Sequence, residues 1–217
     1  AQMQQLLTGG FIVPVAGMAA GVGGTRFTTN ITFSKGAQAI TVLWLPSEPA
    51  AAPMMFRVTL PASSDPIPLR DFVERLGVKG FGSLVIDANA LAEIWSHPND
   101  GRAPFSQSIQ SAPSSPDHDR EVATGRHDTS YRTNIGIVNL STEWHEFTVQ
   151  LNGERANGQI SIAVAPLSMI QAPAPDGDYG NLSVVTTADT AARWLSYAST
   201  INNTTGEART SIGNAKD

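Results

Sequence analysis

The sequence predicts an all-β protein made of two tandem copies of an immunoglobulin-like β-sandwich, with one short helix in the first copy. Two observations carry this prediction. The 217 residues include 19 Gly and 14 Pro, together with many Thr, Ser, Val and Ile, and this composition favours short strands joined by turns. In addition, the second half of the chain repeats the pattern of the first half.

The repeat is clearest where residues 26–33 match residues 130–137, a match that aligns Thr29 with Thr133. In both segments apolar side chains alternate with polar ones, as in a strand with one buried face. Further pairs follow in the same order: Thr41 with Thr148, Val42 with Val149, Pro61 with Pro166, Gly82 with Gly180, Ser96 with Ser196 and Ile109 with Ile212. Because the matches keep their order, we predict a duplication.

Each copy offers about seven strand candidates, the scale of a sandwich domain of ~100 residues. In the first copy they span residues 11–15, 26–34, 39–46, 54–60, 82–87, 91–96 and 104–110. In the second copy they span residues 120–123, 131–139, 146–151, 158–165, 181–187, 192–200 and 207–213. Residues 111–117 between them are rich in Ser and Pro, as linkers are. We therefore predict domains at 1–112 and 113–217.

The two copies differ most after their fourth strand. In the first copy, residues 69–77 carry apolar side chains at positions 69, 72, 73 and 76, the spacing of one helix face, and Gly77 suits a helix C-terminus. The second copy has a Pro-rich segment at 171–178 instead, which cannot continue a helix. The sequence therefore predicts a helix in the first copy and a turn in the second.

Composition excludes several classes of function. The formal net charge of −5 and the pI near 5.3 argue against a nucleic-acid partner, because phosphate backbones are bound by clustered Lys and Arg. No uninterrupted apolar stretch approaches the roughly 18–20 residues that span a bilayer, so we expect no membrane insertion. The absence of Cys excludes disulfides and thiolate metal sites.

Three segments of the second copy resemble a family of repeated modules in secreted, multidomain bacterial proteins. These segments are YRTNIGIVN at 131–139, VAP at 164–166 and ASTINNTTG at 198–206. The family pattern combines an F-R-T-N-L-G-L-V-N strand, a proline-bearing segment and a Y-A-S-V-x-D-N-x-T-G hairpin. The resemblance implies a β-sandwich fold, an extracellular or periplasmic location and an accessory role. The first copy departs from it, with Thr28 in place of the arginine and Ser34-Lys35 in place of V-N.

Two segments contain residue types that bind metal ions. His118 lies between two aspartates, near a second His-Asp pair at 127–128, and Asp176, Asp178 and Asn181 place oxygen ligands at spaced positions. We favour a solvated linker for the first segment and an ordinary Asp-Gly turn for the second, which lacks the glutamate that closes an EF-hand. The sequence thus predicts no metal site and no cofactor.

The chain also lacks the local signatures of nucleophilic catalysis. It has no G-x-S-x-G elbow, no Cys, and no His beside a Ser in a recognised pattern. We therefore predict no catalytic residues and a protein that is not an enzyme. A hydrolase whose residues converge only in the fold stays open as an alternative.

The four tryptophans are candidates for core or binding roles. Trp44, Trp95 and Trp194 lie within apolar strands, so we predict that they belong to the cores. Trp144 lies in the polar segment 141–146, and we predict that it is partly exposed.

Asparagine occurs at corresponding positions of the repeated strand, as Asn30 and Asn134, although strands disfavour it. Alternation places both side chains on the face opposite the main apolar row. We predict that each amide bonds backbone groups of an adjoining segment, which is a structural role.

Together these observations predict a non-catalytic extracellular structural, adhesion or accessory module of a secreted or surface protein. The first alternative is a carbohydrate- or protein-binding β-sandwich that uses an exposed aromatic surface. In either case the expected partner is an unidentified protein or glycan at the cell surface.

Overall fold

The computed structural model describes residues 1–34, 39–47, 51–62 and 64–215. Strands hold 63% of the residues and helices 7%, which confirms the all-β prediction. Contacts divide the chain into two compact units, Ala1–Ser114 and Ser115–Asp217. Lys35, part of the departure from the family pattern, lies outside the described residues.

The first unit consists of two antiparallel sheets, which the pairing of β1 with β2 joins into one nine-stranded sheet. Its elements are α1 (Gln2–Gly9), β1 (Phe11–Ala20), a 3-10 turn (Val22–Gly24), β2 (Arg26–Phe33), β3 (Ala39–Pro46), β4 (Met54–Thr59), β5 (Ile67–Leu69), α2 (Phe72–Arg75), β6 (Gly80–Ile86), β7 (Ala90–His97), β8 (Phe105–Gln110) and β9 (Ala112–Pro113). One sheet has the order β4-β3-β6-β1-β9 and the other β5-β2-β7-β8, and the end of β1 also pairs with β2. Side chains from both sheets form one core, which includes Phe33, Trp44 and Phe72.

The second unit is also built from two antiparallel sheets. Its strands are β10 (His118–His127), β11 (Tyr131–Asn139), β12 (His145–Gly153), β13 (Asn157–Val164), β14 (Ser168–Pro173), β15 (Gly180–Ala192), β16 (Trp194–Asn202), β17 (Ala208–Ile212) and β18 (Asn214–Ala215). One sheet has the order β13-β12-β15-β10-β18 and the other β14-β11-β16-β17, which is strand for strand the order of the first unit. Its core includes Phe147, Tyr179 and Trp194.

Two threonines make the same contact in the two units. The Thr29 hydroxyl donates to the backbone oxygen of Gly17 at 3.0 Å, and the Thr133 hydroxyl donates to that of Arg126 at 2.7 Å. In each case a residue of the second strand is tied to the leading strand of its unit. The aligned threonines therefore occupy corresponding positions.

The sequence alignment fails further along the chain. Ser96 lies opposite Phe27 in the first unit, whereas Asn202 lies opposite Tyr131 in the second. Ser96 therefore corresponds to Asn202, and its alignment with Ser196 is wrong. Which residues of the two units correspond is decided by the register of strand pairing, and the sequence alone does not give that register.

Every predicted strand is present, with bounds shifted by a few residues, but four short strands were not predicted. These are β5, β9, β14 and β18, all at sheet edges. The predicted Pro-rich turn at 171–178 is wrong in its first part, because β14 continues to Pro173. An edge strand tolerates proline because one side of it has no neighbour that needs the N–H.

The helix predicted within residues 69–77 is present as α2, but the described part of the first unit also has α1, which was not predicted. Helix α1 consists mainly of the helix formers Gln, Met and Leu, and it buries Leu6 and Leu7. Helix α2 covers only Phe72–Arg75. It cannot begin earlier, because the backbone of Asp71 is in the left-handed conformation and Leu69 already belongs to β5. Neither helix, nor any other in the described residues, is long and apolar enough to cross a membrane.

Candidate functional site

A groove lies on the outer face of the β5-β2-β7-β8 sheet, which is the face away from the core of the first unit. Its floor is formed by alternate residues of β2 and β7, which pair so that Thr28 lies opposite Trp95 and Asn30 opposite Glu93. The segment from β5 to α2 forms one wall. The groove has a volume of about 510 Å³, within the usual range for small-ligand sites.

Trp95 forms part of the groove, which contradicts its predicted place in the core. Its half-buried ring stacks on His97 with the ring centroids 6.5 Å apart and an interplanar angle of 27°. His97 is itself held, because its Nε2 atom lies 3.0 Å from the Thr28 hydroxyl. The indole N–H of Trp95 is buried and has no acceptor among the described residues. The contact with His97 therefore restricts the orientations that are open to the ring.

Asn30 orders the wall of the groove. Its Oδ1 atom accepts a hydrogen bond from the backbone N–H of Asp71 at 3.0 Å, where the backbone is left-handed with a φ of 49°. This confirms the predicted role of Asn30 as a bond to an adjoining segment. The side chain of Asn134 makes no such bond to the described residues, so that half of the prediction is wrong.

Four charged side chains line the groove: Arg26, Arg70, Asp71 and Glu93. None of them forms an ion pair with another residue in the described ranges. Three are exposed and Glu93 is half-buried. Because their hydrogen-bonding capacity is not consumed by each other, it is available to a ligand.

The chain matches no protein-family model, no curated protein and no solved structure.

In the described part of the second unit, the corresponding face has no such exposed floor. Tyr197 of β16 lies opposite Gly136 of β11, and its ring is so close that a Cβ atom on Gly136 would lie 1.9 Å from it. The Tyr197 hydroxyl donates to Oε1 of Gln171 at 2.9 Å, and burial raises the pKa of this hydroxyl far above its ordinary value. The pair that corresponds to Thr28 and Trp95 is Arg132 and Ile201.

A second polar cluster surrounds Glu121, which is only 1% exposed. Its Oε2 atom accepts hydrogen bonds from the backbone N–H of Ser196 at 2.6 Å and from the Ser196 hydroxyl at 2.7 Å. Its Oε1 atom lies 2.9 Å from Nε2 of His118. Ser196 and His118 contact the carboxylate rather than each other, so the cluster lacks the hydrogen bond between nucleophile and base that nucleophilic catalysis uses.

His118 is not part of a solvated linker, which corrects the sequence interpretation. It begins strand β10, and its ring stacks on Trp194 with centroids 4.7 Å apart. The indole N–H of Trp194 donates to the backbone oxygen of His118 at 3.0 Å. The hydrogen bond with Glu121 raises the pKa of the His118 imidazole above its ordinary value.

Two of the three candidates in the Asp-Gly turn are also engaged with neighbours. Asp178 forms an ion pair with Arg155 at 2.6 Å, and the Asn181 side chain donates to Glu154 at 3.0 Å. Asp176 is exposed. No group of three or more His, Asp or Glu side chains in the described part of the chain is arranged to hold a metal ion.

The remaining tryptophans lie where the sequence predicts them. Trp44 and Trp194 belong to the two cores. Trp144 is 61% exposed, at the turn between β11 and β12.

The base of that turn contains a buried residue that the sequence analysis did not single out for its contacts. Asn139 is fully buried, and its amide nitrogen contacts the backbone oxygens of Glu143, Val164 and Ala165 at 2.8 to 3.2 Å. Its Oδ1 atom accepts from the backbone N–H of Ser141 at 2.9 Å. One side chain thus ties three segments of the second unit together.

Proposed function

We propose that this protein is a non-catalytic binding module whose first unit holds a small polar ligand in the groove around Trp95. The observation that carries the proposal is an aromatic ring that lies in a polar concavity. Binding pockets combine apolar contact area with a few well-placed polar groups, and this groove has both. In line with the family resemblance, we propose that the module serves as an accessory part of a secreted or surface protein.

Pre-organisation supports the proposal. The Trp95 ring is held by stacking on His97, and the wall is held by the bond from Asp71 to Asn30. A ligand that enters such a groove loses less free energy to the ordering of side chains than one that binds a mobile surface. The groove is therefore suited to bind a ligand without a rearrangement of its side chains.

We further propose that the two units are copies of one immunoglobulin-like sandwich, of which only the first carries a binding face. The identical strand order and the matching contacts of Thr29 and Thr133 support this. The second unit then serves as a structural partner domain.

One contact favours the hydrolase alternative. The Thr28 hydroxyl and His97 Nε2 are 3.0 Å apart, which is hydrogen-bond reach for a nucleophile and a base. However, Thr28 is only 3% exposed, so a ligand in the groove has little access to its hydroxyl. Thr28→Val removes the hydroxyl at similar volume and tests this alternative.

The experiment is a ligand-observed NMR screen of the full chain against a library of small saccharides, organic anions and short peptides. We expect ligands that bind the wild type and the Trp144→Ala variant but not Trp95→Ala. Trp144 is the matched control because it is an exposed tryptophan outside the groove. A library without a single ligand that depends on Trp95 would contradict the proposal. Product formation that Thr28→Val abolishes would establish the hydrolase instead.

A further inference from the structure

We infer that the ligand of the groove is a carbohydrate, bound with one sugar ring against Trp95 and its hydroxyls against the surrounding charged side chains. This inference rests on the proposed function, because it names the ligand class of the same groove. It depends on the chemistry of the lining residues and on where the groove lies in the sheet.

The charged groups of the groove match the hydrogen bonding of sugar hydroxyls. Arg26 and Arg70 can only donate hydrogen bonds, whereas the carboxylates of Asp71 and Glu93 can only accept them. A hydroxyl group both donates and accepts, so a polyol uses both kinds of partner. A phosphate or carboxylate ligand would gain from the arginines but would be repelled by the two acidic groups.

Trp95 supplies the apolar part of the match. A pyranose ring has a face of C–H groups, which is less polar than its rim of hydroxyls, and an indole ring offers a flat apolar surface of similar size. Trp95 shares this face of β7 with Glu93, two residues away, so ring contact and hydroxyl contact are neighbours. One sugar unit can therefore engage both.

The position of the groove argues against an extended peptide. A peptide that adds to a sheet needs a strand with unpaired backbone groups. Strand β7 lies between β2 and β8, and β2 pairs with β7 along its whole length. On its other side β2 pairs with β1 at residues 26–27 and with β5 at residues 31–33, so only residues 28–30 lack a neighbouring strand, a stretch shorter than the ~5–6 residues of a usual strand. So short a stretch favours recognition by side chains, which is how a sugar is bound.

The inference is tested with a defined panel of probes on the full chain. The panel contains the methyl glycosides of glucose, galactose, mannose, xylose and N-acetylglucosamine with their β-linked disaccharides, and also inorganic phosphate, citrate and tetra-alanine. Binding is measured by calorimetry and by NMR. We expect at least one saccharide to bind, and Glu93→Gln to weaken its affinity about tenfold or more, because a hydrogen bond to an ionised acceptor becomes a neutral one.

Two further variants separate the contributions. Trp95→Ala is expected to abolish saccharide binding, whereas Trp95→Phe keeps a flat ring and is expected to stay within about tenfold of the wild type. Trp144→Ala is expected to bind as the wild type does. Binding of phosphate, citrate or tetra-alanine in a Trp95-dependent manner, with no saccharide binding, would overturn the carbohydrate inference and leave the groove as a binding site. Absence of any Trp95-dependent binding would overturn both.

Discussion

The outer faces of two sheets with the same strand order differ completely between the two units. On β5-β2-β7-β8 the face is an open groove with Trp95 and four charged side chains that form no ion pair with one another. On β14-β11-β16-β17 the ring of Tyr197 covers Gly136 and bonds Gln171. Backbone pairing and the core do not depend on these outward side chains. The surface chemistry of one copy can therefore change while its sheet is preserved.

Side chains also differ inside the two units while the backbone stays the same, as one buried backbone N–H shows. The N–H of Ala90, which begins β7, donates to the hydroxyl of Ser111 at 2.9 Å. The corresponding N–H of Ser196 donates to the carboxylate of Glu121. Gly213 holds the place of Ser111 in the second unit, and a Cβ atom there would lie 2.5 Å from that carboxylate. The two units satisfy one buried donor with different side chains.

The largest expected effect is that of Glu121→Ala on the second unit. The substitution leaves the N–H and the hydroxyl of Ser196 and the His118 ring without their buried acceptor. We expect the free energy of unfolding of this unit to fall by about 3–5 kcal/mol, as for one partner removed from a buried ion pair. Hydrogen exchange of amides in each unit measures it separately.

Ser111→Ala is the matched control in the first unit, since it removes a neutral acceptor of the corresponding N–H. We expect a smaller loss there, about 1–3 kcal/mol, because no charge is involved. In the background of Glu121→Ala with Ser196→Ala, adding Gly213→Ser should restore part of the lost stability. Equal losses in the two units, or no recovery with the serine, would mean that the positions do not correspond.

Asn139→Ala is expected to have the next largest effect. Four backbone groups lose a buried partner, and we expect a loss of about 2–3 kcal/mol from the second unit. Asn134→Ala is the control on the same strand, with an expected change within about 0.5 kcal/mol. Urea denaturation with hydrogen exchange measures both, and a larger effect at Asn134 would contradict the contacts described above.

A smaller effect is expected in the pH dependence of the stability of the second unit. Glu121 raises the pKa of His118 in the folded state, so the protonated imidazole stabilises the fold. This stabilisation is complete below the pKa of the unfolded chain, near 6.5, and is lost as the pH rises through the higher folded pKa. We expect the second unit to lose stability as the pH rises above about 6.5, and His118→Gln to remove that dependence. A dependence of the same size in the first unit would contradict this assignment.

The sequence predicted the elements better than the contacts between them. Alternation identified the long strands, but the short edge strands β5, β9 and β14 contain Pro68, Pro113 and Pro173, and proline favours a turn prediction. The contact of Glu121 with Ser196 joins residues 75 positions apart. This contact depends on how the two sheets of the second unit face each other. The periodicity of the sequence does not predict that arrangement.

The prediction that Trp95 belongs to the core is wrong, although the sequence around Trp95 contains the correct signal. Glu93 and His97 lie two residues before and after it, so alternation places all three on the same, polar face of β7. The average hydropathy of the segment hides this pattern. For a tryptophan in a strand, the residues at i−2 and i+2 are better guides to its environment than the average hydropathy.

The most direct test of the account is an NMR titration of the full chain labelled with ¹⁵N at its tryptophan side chains. The chain has four tryptophans, at 44, 95, 144 and 194, and hence four indole N–H signals. On addition of the saccharide that binds most tightly in the panel, we expect the signal of Trp95 to move and the other three to stay in place. A shift of the Trp144 signal with none at Trp95, or no shift at any of the four, would contradict the claim that the groove of the first unit is the binding site.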